Sequence, residues 1–530
     1  MQNSPKQLTK QALFELLSSR FKEEEKKLSH IPNPSALQDV TKAVKRIAEF
    51  IRAGKKITLV GDYDVDGISS SAIVKEFFKE IPYPLEVIIP NRFKDGYGVS
   101  PTLLERIDTD LIITVDNGIA ALEASKICKE RGIELIITDH HTPPAILPEA
   151  YAIVDPKLES CAYPFKEICG AQVAWLLLGA LKKELALKID MKQYLDILAI
   201  AIIADIMPLV DINRTIVKEG LKLLMHSSRP SSIIIRDFLN KSTISSEDIA
   251  FNIAPRLNSA GRLEDASLAL DFFCAKDTHT AYKMFEYLGE LNEKRKETEA
   301  KATQEAIDIA NKDDAIIVVA KKGWHEGVVG IVASRLVDKF AKPAIVLSIN
   351  EDGIAKGSAR SLAEVNIYEL LKENEHFLSK FGGHKMAAGL SLDAHNIDAF
   401  KEALNQSAKQ LDPQDFIAKE SITGIVAFDD LDFEFLDILE SFEPYGEANP
   451  RPTFLVQNAE VVSIKLMGKD KSHSRIEIRE YPHQRQTKEL IAFRTVFEMP
   501  EDRKITAQYK VAKNEFNGRV SLQLLVDKIY

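Results

Sequence analysis

The sequence predicts an α/β protein in four parts: a doubly wound parallel sheet, a long connecting helix, a second α/β unit and a C-terminal β-barrel. Three observations predict it. Short apolar runs recur along the first part: ITLV at 57–60, LEVII at 85–89, LIITV at 111–115, ELIIT at 134–138 and YAIV at 151–154. Helical stretches such as ALEASKICKERG separate them, which is the pattern of strands buried on both faces of a parallel sheet. Residues 279–311 have no Gly or Pro apart from Gly289 and read as one long, mostly polar helix that bridges two domains. Beyond residue 420 the segments SITGIVAF, TFLVQNAEVVSI, SRIEIRE, KELIAF, ITAQYKVA and VSLQLLV alternate in strand fashion. Five or six short strands in that space fit a small barrel.

In chain order, residues 1–55 are a Lys/Glu-rich helical segment without evident chemistry, and 56–278 are the first α/β domain, helical from about 170. Residues 279–311 are the connecting helix. The second α/β domain covers 312–415 and opens with AIIVVA at 315–320, and 420–530 is the barrel, with the OB-fold as its natural candidate. A chain of 530 residues exceeds one ordinary core. Its 45% hydrophobic and 28% charged content is that of a globular protein.

No apolar run approaches the roughly 18 to 20 residues that cross a bilayer. The longest, around 197–204, ends at Asp205. The N-terminus lacks an apolar signal core, so a cytoplasmic protein is expected. Cys128, Cys161, Cys169 and Cys274 form no C-x-x-C pair, which argues against a zinc knuckle and fits a reducing compartment. The net charge of −10 is unevenly spread: residues 451–530 hold fifteen Lys/Arg against ten Asp/Glu, so the rest carries −15. A basic module beside an acidic body fits a grip on a polyanion next to a carboxylate-rich, metal-binding unit.

Ligands of doubly wound sheets collect outside the carboxyl ends of the strands. Several of the runs end in acids or histidines. Asp62, Asp64 and Asp66 in GDYDVDG follow the first, Asp116 in VDNG the third, and Asp139, His140 and His141 the fourth. Asp205 in IIADIMPL lies further on. D-G and N-G pairs also form turns in their own right, but such a set on successive strand ends is hard to obtain by chance. Carboxylates packed together repel, and bound cations relieve the repulsion. Oxygen donors with one imidazole suit Mn²⁺ or Mg²⁺ better than zinc. Two ions bridged by a shared carboxylate would clamp both oxygens of a phosphoryl transfer.

DYDVDG, VDNG, TDHH and ADIMPL, in this order, resemble the motifs of the DHH phosphoesterase superfamily. The resemblance implies that Asp64 and Asp116 bind one ion, with Asp62 beside them. Asp66, Asp116, His140 and Asp205 would bind the second, so that Asp116 bridges. It makes His141 a phosphate-facing or acid residue and Asp139 the partner that orients an imidazole. FGGHKMAAG at 381–389 is similar to the motif of the DHH-associated domain, whose paired glycines let backbone N–H groups approach a phosphate beside His384.

KGSARS with Ser358 and Arg360, WHEGVVGIVASRL with Arg335, NRFKDGYG with Arg92 and APRLNSAGRL with Arg262 match patterns of the RecJ branch of that superfamily. So does EPYGEANPRPTF in the barrel segment. Arginine suits this work because its planar fork grips phosphate bidentately. That resemblance spans nearly the whole chain. It implies an exonuclease that removes mononucleotides from single-stranded DNA, 5′ to 3′, in repair and recombination. It further implies a single-strand-binding protein and a helicase as partners, no membrane and a monomer. The longest such relatives continue beyond the barrel where this chain stops at Tyr530, so contacts made by that extra domain are not carried over.

In the barrel, Tyr509 and Phe516 are candidate base-stacking aromatics, with core packing the alternative. Two other readings compete. A phosphodiesterase for short oligonucleotides or cyclic dinucleotides would share the acids but generally lacks the barrel. A silent scaffold would have lost the ligands, and every expected ligand is present.

Overall fold

The computed structural model describes residues 6–21, 26–417, 422–468, 471–480, 486–516 and 519–530. The apolar runs form the first sheet: β1 (Ile57–Val60), β2 (Glu86–Ile88), β3 (Leu111–Val115), β4 (Glu134–Thr138) and β5 (Ala152–Val154). All neighbours are parallel in the order β2-β1-β3-β4-β5. β1, β3 and β5 are buried throughout, which is why they read as unbroken apolar runs rather than alternating ones. Helices Val40–Arg52, Val65–Lys79 and Gly170–Glu184 pack into the same core.

The second sheet contains β6 (Ile317–Lys322), β7 (Ala344–Ile349), β8 (Ile354–Arg360), β9 (Lys380–His384) and β10 (Ala387–Asp393), ordered β6-β7-β8-β10-β9. Only β6 and β7 are parallel; the others pair antiparallel. Its two faces carry separate cores. The connecting helix, Thr278–Ile309, is anchored at both ends rather than bridging through solvent. Phe285, Leu288 and Leu291 belong to the first core, and Ala302 and Ala306 to one face of the second.

The C-terminal strands β11 (Phe454–Met467), β12 (His473–Arg479), β13 (Thr487–Ala492), β14 (Lys504–Phe516) and β15 (Arg519–Ile529) close a barrel in the order β11-β12-β13-β15-β14. SITGIVAF, expected as a strand, makes only the isolated bridges Gln7↔Ile425 and Gly424↔Phe454 among its described residues. Gln7 belongs to the chain's N-terminus. The first 55 residues are divided between two units. Leu8, Leu13 and Leu17 are buried in the barrel's core, whereas Val40, Val44 and Ile47 are buried in the core of the first sheet.

Candidate metal centre

The site is assembled at the carboxyl ends of β1, β3 and β4. Asp64 caps helix Val65–Lys79: its Oδ1 accepts the N–H groups of Asp66 and Gly67 at 2.9 and 3.1 Å. Asp is a preferred N-cap because its carboxylate satisfies free N–H groups of the first turn. Asp66, in that turn, is buried and held by a second helix. Gly170 N–H donates to its Oδ2 at 2.6 Å and Ala171 N–H to its Oδ1 at 2.9 Å, both from the first turn of Gly170–Glu184. Asp116 sits at φ 62°, a left-handed conformation that Asp tolerates better than most residues.

Oxygen and nitrogen atoms of these side chains converge. Asp62, Asp64 and Asp116 offer ligand atoms within 4.8 Å of one another, and so do Asp66, His140 and Asp205. Asp116 belongs to both neighbourhoods: His140 Nε2 lies 3.2 Å from Asp116 Oδ1, 3.7 Å from Asp66 Oδ2 and 3.6 Å from Asp205 Oδ2. A third group is Asp116, His140 and His141. Burial, then repulsion from Asp64, raises Asp66 to about 6. Burial and neighbouring carboxylates also push Asp62, Asp116 and Asp205 well above the usual range. Burial, helped by repulsion from His141, lowers His140 to about 3, so its imidazole is neutral and able to act as a ligand.

The set fits divalent cations by two tests. Its donors are carboxylate oxygens with one neutral imidazole. Asp62 Oδ1, Asp116 Oδ1 and Asp205 Oδ2 are buried atoms without hydrogen-bond partners among the described residues. Buried polar atoms are ordinarily satisfied, and such a cluster calls for a ligand.

Asp139 lies one step behind. Its Oδ1 accepts His141 Nδ1–H at 2.7 Å and the N–H of His140 at 2.7 Å, and its Oδ2 accepts Ile119 N–H at 2.9 Å. Burial opposes its ionisation, but these bonds prevail and hold it below the usual carboxylate range. Burial likewise opposes the charge on His141, and the bond to Asp139 overcomes it, raising His141 to about 9.

The predicted phosphate residues are only partly brought together. Arg92 stacks over the Tyr63 ring at 4.0 Å and its Nε donates to Gly261 O. Arg262 is on a helix, Ala254–Leu263, and its Nη1 donates to Gly327 O at 3.1 Å across the two α/β units. Burial, then repulsion from Arg92, Arg295 and Arg360, lowers Arg262 to about 10. Arg360 Nη1 donates to Ser358 Oγ at 2.6 Å. His384 is exposed at the end of β9, and partial desolvation, then repulsion from His141, lowers its pKa. The glycines before it lie within the edge strand β9, with Gly383 opposite Ala388 and Gly382 opposite Gly389, rather than in a loop.

Arg335 does not join the cluster. Its Nε donates to Glu299 Oε1 at 3.0 Å, and the side chain is half exposed on the connecting helix's flank. Arg295 was missed by sequence reasoning; it is buried beside the cluster and bound to the same Glu299. Also missed was the turn at Cys169, whose C-x-x-Q spacing before an apolar run is a capping pattern: Cys169 N–H donates to Gln172 Oε1 at 3.1 Å. In the barrel, Tyr509 is fully buried against Phe454 and is a core residue, not a stacking platform. The Phe516 side chain lies outside the described residues.

A cleft of about 710 Å³ lies between the first α/β unit, where Ala204 and Ile206 on either side of Asp205 line it, and the barrel. Arg262, Asn258 and Arg295 line it on the catalytic side and Gln508, Lys510 and Asp527 on the barrel. Phe251 and Ile206, 76% and 68% exposed, stand in its wall.

A carboxylate cluster at the ends of a parallel sheet, faced by a second α/β unit, defines the DHH class. The "DHH family, N-terminal domain" model matches residues 56–202, the "DHHA1 domain" model 313–410 and the "RecJ OB domain" model 422–528. The chain belongs to the RecJ family. It is 32% identical to the single-stranded-DNA-specific exonuclease RecJ of Haemophilus influenzae, over 96% of this chain and 93% of that protein. The RecJ of Bacillus subtilis is 39% identical over 84% of this chain, which spans 58% of that relative's length. The crystal structure of RecJ in complex with Mn²⁺ from Thermus thermophilus superposes with a TM-score of 0.80 at 30% identity, covering 93% of this chain and 72% of that one. Among the described residues no helix is long and apolar enough to cross a membrane.

Proposed function

We propose that this chain is a metal-dependent exonuclease that hydrolyses single-stranded DNA from the 5′ end and releases mononucleotides. The observation that carries the reading is the cleft. It joins Arg262, Arg295 and the residues on either side of Asp205, Ala204 and Ile206, to Lys510 on a barrel segment with a basic surplus. A small-molecule phosphodiesterase has no use for such a path. The family membership supports the reaction class, since the relatives are named single-stranded-DNA-specific exonucleases.

Asp62, Asp64, Asp66, Asp116, His140 and Asp205 would hold two Mn²⁺ or Mg²⁺ ions, which when bound polarise a phosphodiester and activate water. Arg92, Arg262 and Arg360, with Ser358 and His384, would hold the terminal and adjacent phosphates. His141, charged and fixed by Asp139, stands ready to protonate the leaving oxygen. An enzyme for unpaired cytoplasmic DNA would depend on a helicase to expose strands and on a single-strand-binding protein that covers them.

The test offers the purified protein a long single strand, a blunt duplex, a dinucleotide and a cyclic dinucleotide, each with Mn²⁺. The long single strand should be consumed fastest and the duplex spared. Turnover confined to the dinucleotides would overturn the reading in favour of a small-substrate phosphodiesterase.

A further inference from the structure

We propose that Phe251 and Ile206 form an apolar subsite for a nucleobase of the bound single strand. The inference rests on the exonuclease reading above and deepens it, because it gives the protein a hold on bases as well as on phosphates.

Phe251 lies in a π-helical turn, Ile249–Ile253, that runs directly into helix Ala254–Leu263. Pro255 accounts for that turn. In an α-helix its ring would clash with the carbonyl four residues earlier, that of Phe251, and it has no N–H to offer. The helix widens instead, and Ala254 N–H bonds to Ile249 O. Single π-turns within helices often mark functional positions. Ile249 and Ile253 are buried, whereas Phe251 between them is 76% exposed. Phe251, Pro255, Asn258 and Arg262 all line the cleft. Their spacing places them on one helix face, so the ring and the Arg262 guanidinium address the same groove.

Ile206 reaches that cleft from a second helix end. It follows Asp205 after helix Leu195–Ala204 and has φ 55°. Met207 N–H bonds to Ile202 O at 3.1 Å, which closes a helix-ending turn whose left-handed position glycine ordinarily fills. A β-branched residue is strained there. Burial does not offset the strain, because Ile206 is 68% exposed. Strain kept at an exposed side chain in a cleft points to a ligand rather than to folding.

The surroundings of the apolar pair select its occupant. Arg262, Arg295 and Lys510 line the same cleft, and Arg262 gives its Nη1 to a neutral carbonyl, Gly327 O. Two acids that also line it are compensated: Glu247 is bound to Arg451, and Asp527 lies 3.6 Å from Lys510. A matching ligand is anionic along one side and flat and apolar along the other. An unpaired strand has that form, whereas a duplex keeps its bases inside. Stacking on an aromatic ring also tolerates any sequence, since every base has a π-face.

The test separates bases from phosphates. The full-length protein, with Ca²⁺ in place of Mn²⁺ to prevent cutting, is titrated against a fluorescein-labelled oligothymidine and against an abasic strand of the same length. Phe251→Ala removes the ring, Phe251→Trp keeps a stacking surface, and Ile206→Gly removes the side chain while relieving the backbone. F251A should bind the oligothymidine about 5- to 100-fold more weakly than the parent, with affinity for the abasic strand within about twofold. F251W should stay within about threefold of the parent on both strands. I206G should also bind the oligothymidine more weakly, yet melt no lower than the parent, because glycine favours that φ. An equal loss on both strands, or parental affinity for the oligothymidine in F251A or I206G, would overturn the proposal. If the unsubstituted protein bound neither strand, the exonuclease reading itself would fall.

Discussion

Asp116 joins the two halves of the metal centre, and its left-handed backbone aims a buried, unpartnered oxygen at His140. Asp116→Ala should therefore lower turnover by at least about 10³-fold, if a lost bridge removes several kcal/mol of transition-state stabilisation. Near-normal turnover with metal content verified would contradict that. The raised carboxyls make a second prediction. A carboxyl whose folded pKa is raised stabilises the fold while protonated, and that contribution is lost as pH rises through its folded value, about 6 for Asp66. On the Asp66 shift the metal-free protein should thus lose stability between about pH 4 and pH 6, and Mn²⁺, which replaces the protons, should raise the melting temperature more at pH 8 than at pH 5. Equal Mn²⁺ shifts at both pH values would refute this. Asp62, Asp64, Asp66, Asp116 and His140 were legible as candidates because unbroken apolar runs mark strand ends and charged residues there are conspicuous, whereas Asp205, which follows the helix Leu195–Ala204, was legible through the resemblance of its motif. The groups that hold them were not. Gly170 N–H reaches Asp66 from 104 residues further along, and backbone donors carry no signature in residue identity. Nor does helical spacing reveal that Arg335 is paired with Glu299 on a neighbouring helix.

At the scale of elements, the N-terminal helix Lys10–Ser18 belongs physically to the barrel, although some 400 residues separate them in sequence. Leu13 is fully buried there, and Lys10 is paired with Asp432 at 2.6 Å. Leu13→Ala should destabilise the barrel by about 2–5 kcal/mol, the cost of an apolar cavity, while the first sheet keeps its own melting transition. A single shared shift of both transitions would show that the two units do not unfold separately. Deleting the barrel from residue 419 onward should leave Leu13 and Leu17 without a core and promote aggregation; removing residues 1–21 as well should restore solubility. This pairing was hidden because a short helix with an apolar stripe does not name its partner. Strand alternation likewise placed Tyr509 in a strand without showing that it faces inward.

At the scale of the molecule, one cleft lies between the first α/β unit, with Arg262 and Arg295 on its wall, and the barrel, and the proposed single strand would run along it. Binding should then weaken steeply with salt as phosphates displace counterions. Lys510, on the barrel wall of that cleft, should contribute to the slope: Lys510→Ala should make the dependence shallower by about one phosphate contact. The central claim is tested most directly by one time course. Metal-stripped protein receives Mn²⁺ and a single strand labelled at its 5′ end, under conditions where each strand is attacked once. The account predicts no release without the ion and, with it, the label freed as a mononucleotide in the first product. Label that persists on long fragments until the end of digestion, or release that proceeds in the stripped protein, would contradict it.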